Sequence, residues 1–433
     1  AGRTMKAALA QGADGGLAGV AGAVIDRHYG QRDRPNDSQA QRVSLPMLMA
    51  VTVMGTALLV LLVVNLAANE RRLRRRPTRL YALDDADFRR AMGALLGPAI
   101  LPGNEVTTLS NGDRIFPAML SAIDQARHSV CFETYIYWSG EIGLAFEQAL
   151  VRAAARGVAV HVVIDWVGSR QLHPLLLQRL RAAGIQLHRY HHLSWYHLRR
   201  LNHRTHRKLL VVDGRLGFTG GVGIAPQWTG DAQDPQHWRD LHYAVRGPVV
   251  AQMQAVFLDN WIRSTGRVLH GPAYFPALDP EGDMDAQMFG SSPQGGADSL
   301  QLMILLAITA ARRSIDIANP YFIPDRMTRD ALVAAVRRGV VVRVLLPGRH
   351  TDMPVVRHAS QGRLGRLLRA GVQVFEYQPT MLHCKLMVVD MQWVTVGSAN
   401  FDNRSFRLND EANLNVFSER LAAEQTRVFE IDL

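Results

Sequence analysis

The chain has 433 residues, 48% of them apolar, enough for one large or two ordinary domains with a real core; a chain too polar to fold is excluded. Its net charge of +11 points to a polyanionic partner, a nucleic acid or an anionic membrane surface. The two cysteines, Cys131 and Cys384, fall in apolar strand-like runs and are expected as buried free thiols, which argues against a disulfide framework.

In chain order, residues 1–43 read as a mobile tail with a Gly/Ala-rich patch. No charged residue stands between Arg42 and Glu70, and the run Ser44 to Ala68 shows no polar face. At about 1.5 Å per residue it reaches across a hydrocarbon core of about 30 Å, which predicts a transmembrane helix over 44–69. The run is too long, and starts too far into the chain, for a secretory signal. The arginines at 71, 72, 74, 75 and 76 open a basic juxtamembrane linker over 70–103 and place the bulk of the protein on the cytoplasmic side of a single-pass anchor. Arg27, Arg32, Arg34 and Arg42 on the other flank pull against that orientation.

Beyond the linker the pattern repeats. Over 104–270, an apolar run at Ser129–Tyr137 precedes a helical stretch from Ile142 to Arg156, stopped by Gly157. A buried-strand run, Val158–Ile164, follows, then a second helix ending at Gly184 and a short strand. Over 299–433 the same order returns: Ser314–Ile317, a helix from Asp325 to Arg338, Gly339, Val340–Leu346, a helix ending at Gly371, and Val372–Tyr377. The Pro/Gly/Asp-rich stretch 271–298 reads as the connection. The fold class is α/β, two similar α/β halves related by a pseudo-twofold axis. The first half carries ten extra residues between Gly184 and its motif, including His191, Trp195, Tyr196, Arg199 and Arg200. No common zinc spacing is present, so the insertion reads as an interfacial loop with aromatic anchors and arginines for lipid phosphates, or as a solvated basic loop.

Each half then enters one motif. Of 49 basic residues only Lys6, Lys208 and Lys385 are lysine. Two of the three sit in His-x-Lys-x4-Asp: His206, Lys208 and Asp213, then His383, Lys385 and Asp390. After six intervening residues come Gly220-Gly221 and Gly397-Ser398. A chain so biased towards arginine keeps lysine where a compact ammonium differs from a planar guanidinium. On a strand, residues two apart share a face, so each histidine projects with its lysine while Arg207 and Cys384 point away. Asp213 and Asp390 fall on the opposite face, which suits a structural hydrogen bond at a strand end.

Two such pairs converging on one pocket suit a dianionic phosphorane-like transition state. The lysines neutralise the non-bridging oxygens, one histidine attacks phosphorus and the other protonates the leaving oxygen. The protein supplies the cations, so neither a metal nor another cofactor is called for. Ser398 and Asn400, with Gly220 and Gly221 in the other copy, are candidate phosphate contacts. Each histidine needs a carboxylate to fix its tautomer. Asp240, 34 residues after His206, and Glu411, 28 after His383, are the candidate orienters, each beyond the glycine element of its own half.

Both motifs, with TGGVGIAPQWTG and VGSANFDNRSFRLNDEANL, resemble the phospholipase D superfamily, and within it bacterial cardiolipin synthases of the B-like type. The resemblance runs from about Asn104 to the C-terminus. It implies a duplicated phospholipase D fold and an enzyme of the inner membrane. Such an enzyme passes the phosphatidyl group of one phosphatidylglycerol through a phosphohistidine to a second, releasing glycerol. It also implies His206 as nucleophile, His383 as general acid and then base, and Asp213 and Asp390 as members of the catalytic motif. Two departures stand out. Gly223 replaces the residue matching Asn400, and the stretch from Glu411 to Leu433 is shorter than the basic C-terminal segment the resemblance implies. The same pocket would serve a phospholipase D-type hydrolase or a nucleic-acid phosphodiesterase. The apolar span and the aromatic insertion disfavour nucleic acid as the partner.

Overall fold

A computed structural model of the protein describes residues 44–66, 77–78, 81–190, 203–292 and 299–433. The described residues divide into two units between Val63 and Val64. The division falls within helix α1 (Leu45–Leu66), on which Leu45, Val53, Met54 and Leu58 stand exposed. The side chains of α1 are described only as far as Val60. Among the described residues no helix is long and apolar enough to cross a membrane, so the span expected over 44–69 is not shown. The expected tail at 1–43 and the arginine run lie outside the described residues.

The stretch expected as a linker is more than that. Helix α2 (Ala86–Leu96) starts at Asp85, whose carboxylate accepts the Asp87 N–H at 2.8 Å, and buries Phe88, Met92 and Leu96 in the second half's core. Strand β1 (Leu101–Ser110) follows. The first half continues with β2 (Ser129–Thr134), β3 (Ala159–Asp165), β4 (Gln186–Tyr190), β5 (Arg204–Thr205), β6 (Leu209–Val212), β7 (Leu216–Gly220) and β8 (Leu241–Arg246). The second supplies β9 (Met284–Ser291), β10 (Ser314–Ala318), β11 (Val341–Pro347), β12 (Gln373–Tyr377), β13 (Leu386–Val389), β14 (Trp393–Gly397) and β15 (Asn409–Phe417). The expected connection 271–298 thus hides β9, which pairs with both β1 and β15. Its MDAQMFGS sequence carries too little periodicity to stand out from its Pro- and Gly-rich flank.

Among the described residues the strands form one sheet in the order β12-β11-β10-β13-β14-β15-β9-β1-β8-β7-β6-β2-β3-β4. The order is a palindrome about the β9–β1 seam, with each strand of one half answered by its counterpart in the other. β2-β3-β4 and β10-β11-β12 run parallel, and the joining helices end at Gly157, Gly184, Gly339 and Gly371, each with φ between 79° and 99°. One core cluster belongs to each half, while a third spans them, joining Tyr243, Met253 and Trp261 to Leu382, Cys384 and Phe429. The C-terminal helix Glu419–Asp432 crosses to the first half, where Gln425 accepts from Tyr243 Oη at 2.9 Å and Arg239 meets Asp432 at 3.0 Å.

Both motif aspartates sit at strand ends in the left-handed region, Asp213 at φ 53° and Asp390 at φ 54°. Asp213 accepts the backbone N–H groups of Arg127, His128 and Ser129 at 2.7–3.2 Å, and Asp390 those of Arg312, Arg313 and Ser314 at 2.7–2.9 Å. Each carboxylate therefore clamps the entry of a central parallel strand. Asp213→Ala would orphan three N–H donors and is expected to cost about 2–4 kcal/mol. The lowered thermal midpoint in detergent would show this while kcat per folded molecule changes less than about tenfold. Lost kcat at an unchanged midpoint would return Asp213 to the chemistry.

Candidate active site

The two motifs meet across the seam. β5, immediately before His206, pairs in parallel with Asn409 and Asp410 of β15, and the His206 N–H donates to Asp410 O at 2.9 Å. Symmetrically, Arg239 bridges to Leu382, and the His383 N–H donates to Arg239 O at 2.8 Å. β6 and β13 begin one residue after the lysines, so each His-x-Lys triplet is an extended lead-in rather than part of the ladder. The expected alternation survives there. Arg207 turns into the protein to bond Val256 O at 2.8 Å and Asp259 at 3.0 Å, and Cys384 packs in the shared core. Both cysteines are buried free thiols, and burial holds each well above the ordinary thiol value.

The carboxylates are exchanged relative to expectation. His206 Nδ1 lies 3.0 and 3.1 Å from the Glu411 oxygens, and His383 Nδ1 lies 2.7 Å from Asp240 Oδ2. Each imidazole is oriented from the opposite half because the β5–β15 pairing and the Arg239 bridge deliver each carboxylate strand beside the other motif. The Glu411 carboxylate is held by Ser398 Oγ at 2.5 Å and by Asn409 Nδ2 at 3.3 Å. Asp240 is held by Trp228 Nε1 at 2.9 Å and by the Leu241 N–H at 2.8 Å.

These bonds reassign three expected phosphate contacts. The Ser398 hydroxyl donates to Glu411 and accepts the Ala412 N–H at 2.9 Å, so it positions a carboxylate. The Gly221 N–H is donated to Leu241 O at 3.0 Å, and a Cβ there would stand 2.2 Å from Asp240 Oδ1, so the missing side chain makes room for that carboxylate. Gly220 is pressed against the same strand, a Cβ standing 2.5 Å from Leu241 O. Asn400 remains a candidate: it shares a small cavity with Lys385, and its side-chain oxygen has no partner among the described residues. Gly223, its counterpart, is filled from outside, since a Cβ would meet Ile136 at 2.9 Å and the Trp228 ring at 3.1 Å. Trp228, together with Trp238, also packs against the His383 ring at 5.2–5.3 Å between centroids, while Tyr135 flanks His206 at 5.2 Å. These three aromatic walls were not picked out from the sequence, although Trp228 lies inside the TGGVGIAPQWTG stretch. The insertion residues His191, Trp195, Tyr196, Arg199 and Arg200 lie outside the described residues.

Lys208 Nζ donates to His206 O at 2.7 Å and Lys385 Nζ to His383 O at 2.5 Å; Lys385 also lies 2.9 Å from His383 Nδ1. Burial, then repulsion from Lys385, brings Lys208 down to about 7, and burial brings Lys385 to about 8. Burial and the neighbouring ammonium groups hold His383 down at about 3 against the attraction of Asp240, and hold His206 below its ordinary value. Burial alone would raise Glu411 and Asp240, but the facing histidines and lysines keep both below the usual carboxylate range. The pocket thus holds two neutral imidazoles, each able to donate Nδ1–H to an ionised carboxylate and to present Nε2. Among the described residues, no group of three or more His, Cys, Asp or Glu stands where it would hold a metal ion.

Residues 119–257 and 304–433 match the family model described as cardiolipin synthase, PLD-like domain. A protein named cardiolipin synthase A from Pseudomonas fluorescens is 38% identical over 79% of this chain and 71% of its own length. One of the same name from Pseudomonas putida is 40% identical over 75% of this chain and 67% of its own length. Both carry the A name rather than the B-like type expected. A crystal structure of phosphatidylserine synthase from Haemophilus influenzae shares the fold, with a TM-score of 0.61 at 12% identity over 79% of this chain and 90% of that one. With two matched halves, two intact His–Lys pairs and relatives this similar, the chain belongs to the cardiolipin synthase family, phosphatidyltransferases of the phospholipase D superfamily.

Proposed function

We propose that the chain transfers a phosphatidyl group from one phosphatidylglycerol to the glycerol hydroxyl of another, through a phosphohistidine at His206, with release of glycerol. The observation that carries this reading is the crossed pair of His–carboxylate bonds around two buried lysines. Glu411 fixes His206 with its Nε2 lone pair free to attack phosphorus, as the family resemblance implies. Lys208 and Lys385 balance the charge on the non-bridging oxygens, and Asn400, with its amide turned, adds an N–H donor.

His383 must supply a proton, and its low value reflects burial first and then the Lys385 ammonium against its ring. An arriving phosphodiester draws that ammonium to itself and adds negative charge, and both changes raise His383 towards protonation. His383 then protonates the departing glycerol oxygen, as the N–P bond to His206 forms and the P–O bond breaks. In the second step it takes the proton of the incoming hydroxyl, whose oxygen displaces His206 from phosphorus.

On this reading the apolar stretch 44–69 is the anchor in the inner membrane, as its length and lack of charge suggest. Carbonate-washed membranes incubated with phosphatidylglycerol micelles and EDTA test chemistry and anchorage together. Cardiolipin and glycerol formed by the pellet are expected. Phosphatidic acid alone would make the protein a hydrolase, and activity left in the wash would remove the anchor.

A further inference from the structure

The His–Lys pairs recognise an anion, but cardiolipin formation also has to select a glycerol hydroxyl over water, and cations offer nothing for a neutral polyol. A different set of groups lies on the Lys385 side of the pocket. β10 pairs with β13 so that Ala318 faces Leu386. Extending that register by one position sets Asn319 opposite Lys385, and Tyr321 lies two residues further on, past the bend at Pro320. The placement of Asn319 is borne out by the small cavity that Asn319, Lys385 and Asn400 share. The Asn319 side-chain oxygen accepts the N–H groups of Tyr321 and Phe401, each at 3.2 Å, and so fixes where Tyr321 leaves the strand.

The Tyr321 hydroxyl donates to the carboxylate of Asp352, which follows the C-terminal end of the neighbouring parallel strand β11. The crevice outside the carboxyl ends of parallel strands is where open α/β sheets take their ligands. Lys385 is near enough for its charge to act on Asp352, and Asp352 acts on Lys385 in return. Asp352 is exposed to solvent and Tyr321 half-buried, so the pair is open to a ligand.

Among the described residues the first half has no equivalent. Tyr135 lies at the matching strand end with Lys208 Nζ 5.7 Å from its ring centroid. The carboxylate ending β3, Asp165, is instead fully buried and takes the N–H groups of Val167 and Gly168 at 2.8 and 3.0 Å. The open hydroxyl–carboxylate pair therefore lies on the side of Lys385, whose Nζ is 2.9 Å from the acid–base histidine, where the alcohol leaves and the next one arrives. A carboxylate accepts from two adjacent hydroxyls, and a phenol both donates and accepts, which together fit a vicinal diol.

We propose that Tyr321 and Asp352 bind the free hydroxyls of the glycerol headgroup beside His383, and so select a glycerol-bearing acceptor over water; this rests on the phosphatidyl-transfer reading above. A phosphatidyl-p-nitrophenol donor separates the two claims. Nitrophenolate release reports attack by His206 without any polyol, while added glycerol partitions the phosphohistidine between phosphatidylglycerol and phosphatidic acid. In Tyr321→Phe and Asp352→Asn, capture by glycerol is expected to fall at least tenfold more than nitrophenolate release, with phosphatidic acid making up the difference. An unchanged partition in both variants, or capture and release falling in parallel, would overturn the polyol role and leave the pair as a loop tie. A parent enzyme that releases no nitrophenolate, or never forms phosphatidylglycerol, would overturn the transfer reading and this one with it.

Discussion

Replacing either histidine of the pair by alanine is expected to lower cardiolipin formation at least about 10⁴-fold, the scale on which nucleophile and acid–base partners acting as a unit fail. His206→Ala removes the atom that bonds to phosphorus, and Lys208 and Lys385 can only bind the lipid without reaching an intermediate. His383→Ala spares that atom but leaves a glycerol alkoxide to depart unprotonated. The two variants should therefore separate with a donor whose leaving group needs no proton. With p-nitrophenol as leaving group, His383→Ala should give a burst of nitrophenolate and a trapped phosphohistidine, and His206→Ala should give neither. A burst from His206→Ala and none from His383→Ala would exchange their roles. Near-normal cardiolipin synthesis by either variant would take that residue out of the mechanism.

Glu411→Gln should disable His206, not the histidine of its own half. An amide accepts the Nδ1–H but carries no charge to stabilise the imidazolium, and the comparable change in a serine-protease triad costs about 10⁴ in kcat. Loss of between about 10³- and 10⁴-fold is expected here. The sign of the titration shift is also fixed. The ionised carboxylate favours the protonated ring, so its removal lowers the His206 value further below its ordinary one. Followed by NMR of the ring carbons, Glu411→Gln should shift the His206 titration and leave His383 nearly in place, with Asp240→Asn doing the reverse. Shifts confined to the histidine of the same half would contradict the crossed arrangement.

The sequence made some of this legible and hid the rest for identifiable reasons. Strand and helix periodicity, with glycines closing the helices, gave the βαβ order of both halves, because parallel strands buried on both faces leave continuous apolar runs. The odd spacing from Lys208 to Asp213 was enough to place that carboxylate away from the lysine, and its three backbone donors agree. The exchange of Asp240 and Glu411 was not legible. It depends on β5 reaching β15 across the seam, and a two-residue strand carries no periodic signal. Ser398 and Gly221 were read as phosphate contacts because they follow the motif. Only the side chains of Asp240, just before β8, and of Glu411 on β15 reveal that both serve a carboxylate.

Because each imidazole takes its partner from the other copy, one copy alone holds half of two sites and the whole of none. A free-standing unit of this kind would be active only as a symmetric pair, with a rate that follows protein concentration. Covalent joining removes that dependence and releases the copies from identity. An aspartate can face one histidine and a glutamate the other, and an indole can fill on one side the space that an amide occupies on the other.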